Sequence, residues 1–79
     1  MKDVKTILEK TFRKEFENTD VYYGYQNVVY VTVISKKFDK MDAKEKLDWM
    51  RKVVDNAGLN EEERKLVAGL YAYAPNEVL

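Results

Sequence analysis

The sequence predicts a single small α+β domain, a three-stranded sheet with helices packed on one face. Three observations carry this. Apolar residues recur at helical spacing behind capping residues in the first and third quarters of the chain. Valine- and tyrosine-rich runs near residues 20–35 and 67–74 suit a pleated, half-buried surface. The length of 79 residues makes one domain, 1–79, with a thin core, because such a chain buries only about 60% of the surface its unfolded form exposes.

The elements follow in order. Asp3 is a candidate N-cap for a first helix, whose core face is Val4, Ile7, Leu8 and Phe12, with Phe16 extending the stripe. Asn18-Thr19-Asp20 closes it. A hairpin of roughly 20–25 and 28–35 turns at Gln26-Asn27. Asp42 and Glu45 form a capping box at the start of a second helix, lined by Ala43, Leu47, Met50, Val54 and Ala57. Gly58 suits a left-handed C-cap. Asn60 caps a short third helix, where Glu61, Glu62 and Glu63 favour the helix dipole. Val67 to Ala74 forms the last strand and Pro75 ends it. The order is α-β-β-α-α-β, with neither repeat nor second domain.

Composition excludes several chemistries. There is no cysteine and no histidine, so disulfides, thiolate catalysis and most zinc, haem and iron–sulfur ligands fall away. No cofactor or metal is expected. The net charge is zero, with fourteen basic and fourteen acidic residues, which disfavours strong non-specific duplex binding. No apolar run spans a membrane. The charged opening MKDVKTILEK is unlike a signal peptide, and a cytoplasmic location is expected. Ser35 is the only serine, and no histidine stands ready to activate it. The carboxylates lie on helical surfaces with no paired acid and base. The chain is expected not to be an enzyme.

Four of the six tyrosines fall within Val21 to Val33. With a two-residue turn at Gln26-Asn27, Tyr25 pairs with Val28, Tyr23 with Tyr30 and Val21 with Thr32. The valines Val29, Val31 and Val33 then face the helices, with Gly24 and Tyr22 on their side. Tyr23, Tyr25, Tyr30, Tyr71 and Tyr73 stand on the open face. Such a face is amphipathic sheet cover, a protein or self-association interface, or a base-stacking surface for single-stranded nucleic acid. In the last case Tyr23, Tyr30 and Tyr71 stack bases while Lys36, Lys37 and Lys40 meet phosphates.

Helix two carries a second candidate surface. Lys44–Asp48 and Asp48–Lys52 are spaced for i, i+4 ion pairs along a solvated face. Trp49 sits beside the apolar stripe as partial core, and Phe38 reads as an anchor of the basic loop before the helix.

With this element order, the chain resembles the BolA-like family, whose topology is a KH-like arrangement of type II. Val28-Val-Tyr-Val-Thr-Val-Ile-Ser35 is similar to the family's second strand, which ends in serine. Phe38 matches the aromatic that opens the family's loop. Leu70-Tyr-Ala-Tyr-Ala-Pro75-Asn-Glu77-Val78 is similar to the closing strand and its Thr-Pro-x-Glu-Trp end. About 50 residues are covered. Lys40 stands where the family has glycine. The family's Arg-His-Arg core falls on Lys46, Leu47 and Asp48, and its later histidine falls near Leu66. The resemblance implies a non-enzymatic adaptor or regulator with a protein partner, glutaredoxin-like in that family; the chain is read as an interaction module acting through such a partner or through itself as a homodimer. It also implies an interaction surface around helix two and the last strand, for which Lys46, Arg51 and Lys52 are the candidate residues on helix two. Cluster sharing through a histidine is not open to this chain. The alternative is a KH-like domain that binds single-stranded nucleic acid through its tyrosine-bearing sheet.

Overall fold

A computed structural model describes residues 3–78. The expected element order holds: α1 (Val4–Arg13), β1 (Thr19–Tyr23), β2 (Val29–Ile34), α2 (Ala43–Asp55), α3 (Glu61–Lys65) and β3 (Val67–Tyr73). Short 3-10 turns lie at Lys36–Phe38 and Pro75–Glu77, and a tight turn with positive φ at Gln26 and Asn27 joins β1 to β2. The sheet is mixed, in the order β1-β2-β3. β1 runs antiparallel to β2, and β3 runs parallel to β2. A parallel neighbour needs a long crossover, and α2 with α3 supplies it.

Local chemistry sets the helix boundaries. The Asp3 carboxylate caps α1 by accepting from the Thr6 N–H. Asp42 and Glu45 close a reciprocal capping box on α2, and Asn60 and Glu63 do the same on α3. Each satisfies backbone N–H groups that the first helical turn leaves without partners. Gly58 has φ 74°, the left-handed conformation its position requires. Two boundaries differ from expectation. α1 stops at Arg13, well before Asn18, and Thr19 already belongs to β1. Phe16, past the helix end, is nevertheless buried.

Helices cover one face of the sheet only. Val21, Val29, Val31 and Val33 point into a core filled by Val4, Leu8 and Phe12 of α1 and by Met50, Val53 and Val54 of α2. Of the expected stripe, Met50 and Val54 are buried and Leu47 and Ala57 partly so; Ala43, in the first turn, is exposed, and Val53 joins the buried set. Phe38 anchors its loop as expected. Its ring lies 5.1 Å from that of Phe16 and 5.4 Å from that of Trp49. Trp49 is partly buried against this pair. The expected pairs Lys44–Asp48 and Asp48–Lys52 do not form. The ion pairs among the described residues are Lys5–Glu9, Arg13–Glu9, Lys46–Glu77 and Arg64–Asp55. No helix among the described residues is long and apolar enough to cross a membrane.

Candidate functional site

The hairpin decides which tyrosines share a face. Its turn falls where expected, at Gln26-Asn27, and both residues have positive φ, 60° and 64°, as a type I′ turn demands. The strands do not follow in the simple register. The Val28 N–H donates to the Tyr25 carbonyl at 3.4 Å, while the Gly24 N–H donates to the Val28 carbonyl at 2.7 Å. Two residues, Gly24 and Tyr25, therefore face Val28 alone. This bulge advances β1 by one residue, and a one-residue slip turns every side chain over.

The resulting pairs are Tyr22 with Tyr30, Val21 with Val31 and Tyr23 with Val29. The expected pairs Tyr23–Tyr30 and Val21–Thr32 are therefore corrected. Tyr22 moves to the open face and Tyr23 leaves it. The Tyr23 hydroxyl turns to the helix layer and donates to Asp3 Oδ1 at 2.6 Å. That bond holds the Asp3 carboxyl below the ordinary range and raises the Tyr23 phenol. Tyr25 belongs to the turn and is 85% exposed, off the sheet face. Tyr30, Tyr71 and Tyr73 stay on the open face, as β3 keeps its expected alternation.

The open face thus carries Tyr22, Tyr30, Thr32, Tyr71 and Tyr73 around a shallow depression of about 350 Å³. The rings of Tyr22, Tyr30 and Tyr71 form a row across all three strands. Centroids are 5.6 and 6.4 Å apart, and interplanar angles are 24° and 21°. Tyr22 and Tyr71 are 42% and 41% exposed. Two glycines seat the row. A Cβ on Gly24 would collide with the Tyr30 ring, and one on Gly69 would lie 2.8 Å from the Tyr71 ring and 2.9 Å from that of Tyr30. The rings lie low over bare backbone and hold nearly one orientation. Gly24, Gly69 and Tyr22 are the site residues that sequence reasoning missed. A glycine inside a strand pattern was the available signal, since it marks a bulge or a close approach.

The basic residues do not join this row. Register and alternation put Asp20, Thr32 and Ile34 among the tyrosines, with no lysine or arginine from any strand. Lys36 and Lys37 lie in the 3-10 turn beyond the end of β2. The Lys37 ammonium bends to the helix side, donating to the Glu15 carbonyl at 2.6 Å and lying 5.3 Å from the centre of the Phe16 ring. Lys36 and Lys37 line a cleft of about 660 Å³ with Arg13 and Lys14, alongside Glu15 and Glu17. Lys40 is exposed, with φ 65°.

On α2, Arg51 and Lys52 are exposed. Lys46 is not free to meet a partner. Its ammonium donates to both carboxylate oxygens of Glu77, at 2.5 and 2.7 Å, and its side chain is only 12% exposed. Glu77 also accepts from the Ala74 N–H at 2.6 Å. These two donors hold the Glu77 carboxyl below its ordinary range. Lys46 therefore fastens the C-terminal turn to α2. No group of three or more acidic side chains that could hold a metal ion occurs among the described residues.

No protein-family model matches the chain, and neither a curated protein nor a solved structure shows significant similarity to it.

Proposed function

We propose that this protein is a non-enzymatic interaction module that docks a protein partner on its tyrosine face. The observation that carries the reading is the row Tyr22–Tyr30–Tyr71, nearly co-oriented and seated on Gly24 and Gly69, with Tyr22 and Tyr71 exposed on either side of a half-buried Tyr30. Tyrosine supplies large contact area with little side-chain freedom to lose, and it is enriched where partners bind. The exposed Arg51 and Lys52 on α2 offer a second, polar contact surface.

Two features support an adaptor of the BolA-like kind. The element order is the one that resemblance leads one to expect. Lys40, where that family has glycine, adopts φ 65°, a conformation glycine favours. With no histidine in the chain, the proposed role is docking and not cluster sharing.

Single-stranded nucleic-acid binding is the weaker reading. Stacking surfaces of that kind combine aromatics with a cationic track along the same groove. Here the strand residues around the row include Asp20 and no cation, while the Lys37 ammonium points to the other side of the sheet. Amide NMR titration with mixed-sequence single-stranded RNA, at low and moderate salt, separates the readings. Silence at residues 21–32 and 69–74 is expected. Salt-sensitive shifts concentrated there would overturn the protein-docking reading in favour of RNA.

A further inference from the structure

The outer edge of β3 is open, and its chemistry is that of a self-pairing strand. β3 lies at the end of the sheet. The Val29 N–H donates to the Leu66 carbonyl and the Ser35 N–H to the Tyr73 carbonyl. In a parallel ladder with Ile34 beside Tyr73 and Thr32 beside Tyr71, Tyr71 and Tyr73 therefore turn their backbone groups towards β2. Leu70 and Ala72 turn theirs outward. Among the described residues no other segment hydrogen-bonds to that edge. The side chains tell the same story. Leu70 and Ala72 face the helices yet stay only half-buried, whereas their neighbours Val31 and Val33 on β2 are fully buried.

Exposed edges are normally blunted by charge, proline or a covering element. From Val67 to Ala74 this strand has no charged residue and no proline. Its flanks carry opposite charges, with Arg64 and Lys65 before it and Glu77 after it. We propose that β3 pairs antiparallel with β3 of a second copy of this chain, about a two-fold axis at Tyr71. Leu70 of each copy then exchanges both backbone hydrogen bonds with Ala72 of the other, using the outward groups. Tyr71 faces its own counterpart as a non-hydrogen-bonded pair, where side chains come closest. The antiparallel sense sets the basic flank of each strand, Arg64 and Lys65, towards the acidic flank of the other, Glu77. Two such contacts arise by symmetry, as an isologous interface requires. The product is a continuous six-stranded sheet that joins the two tyrosine rows. The pairing is made by the backbone edge of β3, meets the proposed docking face only at Tyr71, and stands whether or not that face binds a partner.

Sedimentation equilibrium with amide hydrogen exchange tests it on the intact chain. The expected result is a species of twice the 9.3 kDa monomer mass, with the Leu70 and Ala72 amides gaining protection as concentration rises. Lys65→Glu lies on the surface, and its expected effect is to weaken the dimer about tenfold by setting like charges together twice. A monomer up to millimolar concentration overturns the proposal. A dimer whose Leu70 and Ala72 amides still exchange freely also overturns it, placing the contact elsewhere. Protection without any Lys65→Glu effect overturns the antiparallel sense of the pairing.

Discussion

The Tyr30 ring lies in the space where Gly24 would carry a Cβ. The two residues are fitted to each other across the β1–β2 pair, and the bulge at Gly24 is what sets the tyrosine row in register. The backbone at Gly24, φ −103° and ψ −162°, is open to any residue. Its requirement for glycine is therefore steric.

Gly24→Ala should displace the Tyr30 ring and cost about 1–3 kcal/mol, the usual range for overpacking. Urea denaturation measures the loss, and ring proton shifts of Tyr30 and Tyr22 report the displacement. Unchanged stability and shifts would show that the ring is not seated on this glycine.

Lys40→Gly should do the reverse. Lys40 holds a left-handed conformation, which costs an L-residue roughly 1–2 kcal/mol. Glycine removes that cost and loses part of the gain through its freer unfolded chain. A net rise of about 1 kcal/mol is expected, read from the same denaturation midpoint. A fall would mean that the lysine side chain contributes more than its backbone loses.

The Lys46–Glu77 pair predicts a pH dependence. The Glu77 carboxyl is held below its ordinary value by the Lys46 ammonium first and then by the Ala74 N–H. A depressed carboxyl stabilises the fold fully above its unfolded value of about 4.3 and loses that contribution as pH falls through the folded value. Lys46→Met should therefore lower the denaturation midpoint at pH 7, and the gap to the parent protein should close as pH drops below about 4.3. A gap that persists in acid would mean that the lysine stem acts by packing and not by charge.

The caps were legible because their chemistry is local. Asp3, Asp42 with Glu45, Gly58 and Asn60 each act within a few residues, and each does what its position suggests. The alternation of β3 was legible too, since Leu70 and Ala72 against Tyr71 and Tyr73 is a plain period of two. The hairpin register was not. The turn at Gln26-Asn27 was found, but one extra residue beside it, at Gly24 and Tyr25, turned β1 over. A bulge is chosen by how the whole sheet packs, so that Val21 meets the core and Tyr22 meets Tyr30. The fate of Lys46 was equally hidden. Its partner lies 31 residues away, and nothing in the local spacing of α2 points to it.

The most direct measurement is site-specific photo-crosslinking in cells, with a photoreactive phenylalanine analogue at Tyr22 and, separately, at Lys52. Both positions are exposed, one on the tyrosine face and one on α2. The expected result is a discrete protein adduct from position 22 that Tyr71→Ser abolishes, with any adduct from position 52 secondary to it. An adduct from position 52 alone would move the docking surface to α2, and an RNA adduct from position 22 would make the tyrosine row a stacking platform.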